Sequence, residues 1–266
     1  MRKICILLIL SITTIALLTG CKPKGEPMQP ITAYYQNIKD GNIEGAYEQL
    51  AEANKKNFTK EDFIKFQETN AELMTLKDFK IEIFEEYKNK DIEGTVYKNV
   101  VEFTVVETVQ HLYADKEQPI NYKRSVVNDN GVWKLLRDKM NPKEAIANNL
   151  NNIAWMYIDG KGKTNNLNQA ITVLNEALKY DKNFAPLYYA LGVCYQDLNR
   201  NDEALTAINT YLTKDTDKTQ KSDGYNVLGN IYSNKENIDK SKESYEKAIE
   251  FNPDNQYAKT NLEQLK

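Results

Sequence analysis

The sequence predicts an α+β domain, with helices packed on one face of a curved antiparallel sheet, followed by an all-α array of repeated helix pairs. Three observations carry that expectation. The apolar period changes from 3.6 to 2 near Phe79, so helices give way to strands. An Asn130-Gly131 pair stands between two alternating runs, the strongest short-range signal of a β-hairpin. The stretch Ala185–Asp215 aligns with Ser222–Asp254, self-similarity at the length of a helical hairpin.

The chain has 266 residues, 35 Lys+Arg against 38 Asp+Glu, 41% hydrophobic and 27% charged residues. These proportions suit a folded protein with a sizeable core. No basic excess of the kind that nucleic-acid backbones require is present, so no nucleic-acid partner is expected. His111 is the one histidine. A zinc site or a Ser-His-Asp triad would then need unusual variants, and no catalytic set, metal or cofactor is expected. Near the end of a strand, beside Gln110, Leu112 and Tyr113, His111 reads as a structural residue.

The first element is not part of the fold. Arg2 and Lys3 precede an apolar run from Ile4 to Leu18, broken by Ser11, Thr13 and Thr14. A membrane span needs roughly 20 apolar residues, so this run reads as a signal peptide. The tetrad Leu18-Thr19-Gly20-Cys21 resembles the bacterial lipobox. That resemblance implies removal of residues 1–20 and attachment of a diacylglyceryl group at Cys21. It also implies a lipoprotein held at the extracytoplasmic face of a cell membrane by acyl chains such as palmitate. Each buried methylene contributes ~0.8 kcal/mol, and two chains give stable attachment. Cys5 would leave with the signal, and Cys194, on a helix beside Val193 and Tyr195, reads as a small buried hydrophobe. Residues 21–30, rich in proline and alternating charge, read as a tether.

From Ile31 the period is helical. Tyr34, Tyr35 and Ile38 share a face, and Asp40-Gly41-Asn42 ends the run. Ile43, Ala46, Tyr47 and Leu50 continue as a second helix. Thr59-Lys60-Glu61-Asp62 is similar to a capping box and opens a third, through Phe63, Ile64 and Phe66. Then Phe79, Ile81, Ile83 and Tyr87 alternate with charged residues. Val96 to Tyr113 forms a long β-rich run, with Val101, Phe103, Val105 and Val109 in one set and Val100, Glu102, Thr104 and Thr108 in the other. Tyr122, Arg124 and Val126 open a third strand, and Trp133-Lys134-Leu135-Leu136 returns as a fourth.

The opening "YYQNIKDGNIEGAYEQL", the "FTKEDFIKF" helix and the closing "NDNGVWKLLRD" resemble the NTF2-like superfamily, and place such a domain at 31–140. The resemblance is closest to small NTF2-like domains on bacterial surface proteins, including some penicillin-binding proteins. It implies a cone of helices on a curved sheet, with a mouth that binds a small ligand in some members and carries catalysis in others. Tyr34, Tyr47, Tyr97 and Glu102 are the residues of the types such catalysis uses, but no motif places them together, and core packing with hydroxyls at the edge is the plainer reading. Ser244-Tyr245-Glu246-Lys247 fits S-x-x-K without the S-D-N or K-T-G partners that a penicillin-binding site needs.

In the last part, Tyr188/Tyr225, Leu191/Leu228, Gly192/Gly229, Tyr195/Tyr232 and Ala204/Ser241 coincide, and Pro253 closes the second unit. This resembles the tetratricopeptide (TPR) pattern, in which the glycine and the small residue let helices A and B cross closely. An earlier unit aligns through Leu150, Ala154, Tyr157, Ala170 and Ala177. The array is thus expected over 143–266, with repeats at about 147–182, 185–218 and 222–254 and a capping helix at 255–266.

The resemblance implies a concave groove lined by the A helices. Carried over position by position, it gives Asn148, Asn151 and Trp155 from the first repeat. The second gives Tyr189, Val193 and Gln196, and the third gives Asn226, Asn230 and Asn234. Side-chain amides suit the backbone of an extended peptide, and Trp155 and Tyr189 suit apolar anchoring. The Lys and Arg residues of the family's carboxylate clamp are replaced here by Asn, Tyr or acidic residues, which argues against recognition of chaperone tails. The expected function is therefore a membrane-anchored, non-enzymatic scaffold that binds a protein or peptide, with a small ligand in the NTF2-like cone as the alternative.

"IDGKGKT", residues 158–164, ends like a nucleotide-binding P-loop. That loop needs a glycine where Tyr157 stands and a preceding strand where a helix, Asn148 to Ile158, is expected. The repeat register supplies another reading. Tyr157 to Ala170 spans thirteen positions where Tyr195 to Ala204 spans nine. The four extra residues make a lengthened A–B turn, similar to that of Sel1-like repeats, with Gly160 and Gly162 where a helix must end.

Overall fold

The computed structural model describes residues 23–214 and 217–265, so the expected signal peptide and Cys21 lie outside the described residues. Four helices come first, α1 (Met28–Lys39), α2 (Ile43–Glu48), α3 (Glu52–Asn57) and α4 (Lys60–Ala71). Side chains cap two of them: Asn42 accepts from the Gly45 N–H and Thr59 from the Asp62 N–H. An antiparallel meander follows, β1 (Met74–Ile92), β2 (Thr95–His111), β3 (Lys116–Asp129) and β4 (Val132–Leu136), in that spatial order. Asn130 and Gly131 both have positive φ, 54° and 89°, which makes the two-residue turn that matches strand twist.

Alternation decides what the sheet buries. Val101, Phe103 and Val105 of β2, Val126 of β3, and Trp133 and Leu135 of β4 point to the helices. There they meet Ile31, Tyr34 and Tyr35 of α1, Tyr47 of α2 and Phe63 of α4 in one core. Val100 and Val127, one position out of phase, form a smaller cluster on the other face with Ala51, Tyr87 and Tyr97.

Three local expectations change. Residues 23–30 are not a free tether: Pro23 and Pro30 are buried, the Lys24 N–H donates to the Gly131 carbonyl at 2.9 Å, and α1 starts at Met28. Proline is tolerated there because first-turn N–H groups have no intrahelical partner. Ile83, expected in the inward set, is 54% exposed. It still pairs with Phe103 on edge strand β1, and the register shift that follows it, between Ile83 and Glu85, puts Tyr87 opposite Val100 on the other face. α3 had no apolar stripe to reveal it. Asn54 holds it to the sheet instead, donating to the Arg137 carbonyl at 2.8 Å and accepting from the Arg137 N–H at 3.0 Å.

The second half is a series of helix pairs, α5 (Pro142–Asp159) with α6 (Leu167–Tyr180), α7 (Ala185–Asp197) with α8 (Asn201–Thr213), and α9 (Lys218–Asn234) with α10 (Ile238–Phe251), ended by α11 (Gln256–Gln264). Gly192 lies against Ile208 and Gly229 against the Tyr245 ring, so neither position has room for a β-carbon. The small residue opposite Gly229 is Ser241, whose hydroxyl donates to the Gly229 carbonyl at 2.9 Å. The turn within the second and third pairs is three residues, whereas Gly160–Asn166 between α5 and α6 is seven.

The two halves meet directly. Phe66 packs into both the sheet core and the core of the first helix pairs, and Leu73 joins the latter. The buried Asn149 amide donates to the buried Thr69 hydroxyl at 3.1 Å. Ion pairs Lys65–Glu176 (2.5 Å) and Lys163–Glu72 (3.0 Å) flank that contact.

Candidate functional site

Helices α5, α7, α9 and α11 touch in series, so the A helices present one continuous face. Each supplies residues in the order that helical periodicity dictates. On α5, Asn148 is exposed, Asn151 is buried and Trp155 is half-buried. The Asn151 side-chain oxygen has no hydrogen-bond partner, although the residue is only 7% exposed. An unpaired buried acceptor costs about 1–3 kcal/mol, so it marks a place where a donor is missing.

On α7, Tyr189, Val193 and Gln196 are half-buried. The Tyr189 ring lies 6.3 Å from that of Trp155 and 5.3 Å from that of Tyr211, forming an aromatic row from the first repeat to the second. Burial, with the Asp223 carboxylate nearby, pushes the Tyr189 hydroxyl up to about 12, so it stays a neutral donor. Burial also raises the Asp197 and Asp223 carboxyls above their ordinary value. The same cause pushes the Cys194 thiol up to about 12, which leaves it inert packing rather than a nucleophile.

The third repeat is different. The Asn230 side-chain oxygen accepts from the Tyr245 hydroxyl at 2.8 Å and from the Asn261 amide of α11 at 3.0 Å. Asn261 also donates to the Asn226 oxygen at 3.0 Å. The oxygens of Asn226 and Asn230 therefore serve to dock the last helix, and Asn234 is exposed at the end of α9. The structure thus brings together Trp155 and Tyr189 in one half-buried strip, with Asn151 buried one turn before Trp155, and commits the polar pair of the third repeat to the fold. The role of Asn261 was not foreseen, because its partners lie 31 and 35 positions away and no motif links them.

The residue types considered for catalysis are not assembled. The Tyr47 hydroxyl donates to the Phe58 carbonyl at 3.1 Å, Glu102 pairs with Lys90 at 2.5 Å, and Tyr97 belongs to the opposite face of the sheet from Tyr34. No cluster of three metal-ligating side chains occurs among the described residues. No helix among them is long and apolar enough to cross a membrane.

Two family models described as tetratricopeptide repeat match the chain, one over residues 163–222 and one over residues 222–255. Over residues 163–255 the chain is similar to tetratricopeptide repeats. The first match begins inside the long turn, after α5. BBSome complex member BBS4 of Bos taurus is 34% identical over 117 residues, and its Mus musculus counterpart 33% over 118. Each alignment covers 44% of this chain, and the chain spans about a fifth of the length of these curated relatives (21%). Among solved structures, the first TPR domain of human RPAP3 aligns with a TM-score of 0.40 and 19% identity, covering 45% of this chain and 88% of that one. The Arabidopsis OM64 TPR domain aligns with a TM-score of 0.40 and 18% identity, covering 48% and 96%.

Proposed function

We propose that this chain is a non-enzymatic interaction scaffold, lipid-anchored at Cys21 on the outer face of a cell membrane, whose TPR groove takes an extended segment of a protein partner. The observation that carries the groove reading is the strip of Trp155 and Tyr189. Its two half-buried aromatic rings suit a peptide side chain that stacks on them. That the matched bovine protein is described as a complex member supports an assembly role. The anchoring part rests on the Leu18-Thr19-Gly20-Cys21 tetrad alone. An NTF2-like cone over residues 31–140 is supported by the order of helices and meander and by the closing hairpin at Asn130-Gly131.

Crosslinking in intact cells, comparing wild type with Trp155→Ala and Gln196→Ala, tests the groove. Both variants are expected to lose specific partners, Gln196→Ala with the wild-type melting profile, and identical partner lists would sink the reading. For the anchor, Cys21→Ser is expected to leave the membrane fraction and to take up no labelled palmitate. Retention of both properties rejects it.

A further inference from the structure

The helix-on-sheet half encloses a cavity of about 360 Å³ between α1, α4 and the inner face of the sheet. That size lies at the small end of ligand sites. Tyr34, Tyr35, Glu107, Tyr122, Arg124 and Arg137 are among the polar side chains that line it. None belongs to the TPR groove. The strand register explains why they converge. Glu107 falls in the inward set of β2, after Phe103 and Val105. Arg124 pairs with Phe103 and Tyr122 with Val105 across β2 and β3. Arg137 comes directly after Leu136, the partner of Ser125, so it stands beside Arg124. The two hydrogen bonds it shares with Asn54, one accepted and one donated by its backbone, then fix its main chain.

The charges in this space do not cancel. Arg137 donates to the Tyr34 hydroxyl at 2.7 Å, and the same oxygen accepts from Gln67 at 3.2 Å, so its closest partner is neutral. Arg124 reaches Asp138 at 3.3 Å, but the Asp138 side chain is 90% exposed against 10% for Arg124, and it faces water rather than the cavity. Glu107 is the carboxylate that lines the cavity, set against two guanidinium groups. Burial holds its carboxyl above the ordinary range, while Tyr35 and the two arginines pull it back down. The remaining cation at the rim, Lys39, is itself 36% exposed and keeps its charge in water beside Asp78, so it adds no buried charge. One positive charge is left over, in a half-buried place where an unpaired charge is costly. Ile38, Phe66, Leu76 and Val109 supply the apolar part of the wall, beside the neutral polar Gln67, Asn70 and Thr75.

We propose that this cavity binds a small organic monocarboxylate, with its carboxylate between Arg124 and Arg137 and its apolar body against the tyrosines. A planar guanidinium matches a carboxylate in two-point geometry, and a single negative charge balances the excess of one. A phosphate monoester, carrying nearly two charges, overshoots that balance. This site stands whether or not the groove binds a peptide.

Calorimetric titration of the full chain in a non-ionic detergent tests it, with benzoate, benzamide and phenyl phosphate as probes of one body and different charge. Benzoate is expected to bind at least tenfold more tightly than benzamide and more tightly than phenyl phosphate. Arg124→Gln is expected to weaken benzoate at least tenfold. Glu107→Gln, which removes the competing carboxylate, is expected to strengthen it several-fold, and this variant keeps the proposal testable if Arg124→Gln fails to fold. Equal binding of benzoate and benzamide, no benzoate heat at 10 mM, or unchanged affinity in Glu107→Gln overturns the site. Tighter binding of phenyl phosphate overturns the monocarboxylate assignment.

Discussion

Burial raises the Glu107 carboxyl above its ordinary 4.5, because the cavity wall disfavours the charged form more than Tyr35, Arg124 and Arg137 favour it. The folded state therefore holds this proton more tightly than the unfolded state does. The stabilisation is fully present below about pH 4.5 and is lost as pH rises through the raised folded value. Tyr122 faces the same carboxylate but stays neutral throughout that window, its own hydroxyl raised by burial. Glu107→Gln is expected to gain melting temperature relative to wild type as pH climbs from 4.5 towards 8, with Asp197 and Asp223 cancelling because both proteins contain them. Parallel melting curves across that range would show that the charge is not paid for in stability. The residues of this cavity were partly legible. Alternation already put Arg124 and Tyr122 in one set with Val126, and continuing the inward set Val101, Phe103, Val105 by one step reaches Glu107. What one sequence did not reveal is that the sets of three strands face the same hollow, since that depends on the register between strands.

At the scale of elements, the turn Gly160–Asn166 is the informative one. Its four extra residues were legible as a mismatch between repeats, because helix pairing fixes the spacing of the packed positions. Its contact was not legible. Gly162 has φ 71°, and a β-carbon there would lie 2.5 Å from the Leu112 carbonyl oxygen, at the turn after β2. Around it, the Tyr113 hydroxyl donates to Asp159 at 2.6 Å and Lys163 pairs with Glu72. Leu112 and Gly162 are far apart in sequence and share no motif, so their approach follows only from how the two halves dock. Gly41 makes a clean control: its φ is 74°, and nothing lies within 4 Å of the place a β-carbon would take. Alanine at either position carries the left-handed cost of about 1–2 kcal/mol. Gly162→Ala adds displacement of backbone and is expected to lose at least ~1 kcal/mol more than Gly41→Ala in denaturant unfolding. Equal losses would mean that the turn does not rest on the sheet.

The whole molecule is held by a joint in which apolar and polar contacts occupy the same place. Phe66 belongs to both cores, and Asn149 and Thr69 satisfy each other where water is excluded. Surface pairs such as Lys65–Glu176 add little on their own, so the joint depends on that buried centre. Separation would expose Phe66 and leave two polar groups to be resolvated, which couples the unfolding of one half to that of the other. The chain has two tryptophans, Trp133 in β4 and Trp155 in α5, one for each half. Proteins carrying Trp133→Phe or Trp155→Phe therefore report the halves separately by fluorescence. Their denaturation midpoints are expected to coincide in the otherwise wild-type chain. With Phe66→Ala and Asn149→Ala added, the midpoints are expected to part, because the contact that joins the two cores is gone. Distinct midpoints before those substitutions would show that the halves are independent, and a groove partner would then leave the Arg124–Arg137 cavity unaffected. Coincident midpoints imply the converse: a segment seated on Trp155 stabilises, through α5 and Asn149, the helix that walls the cavity.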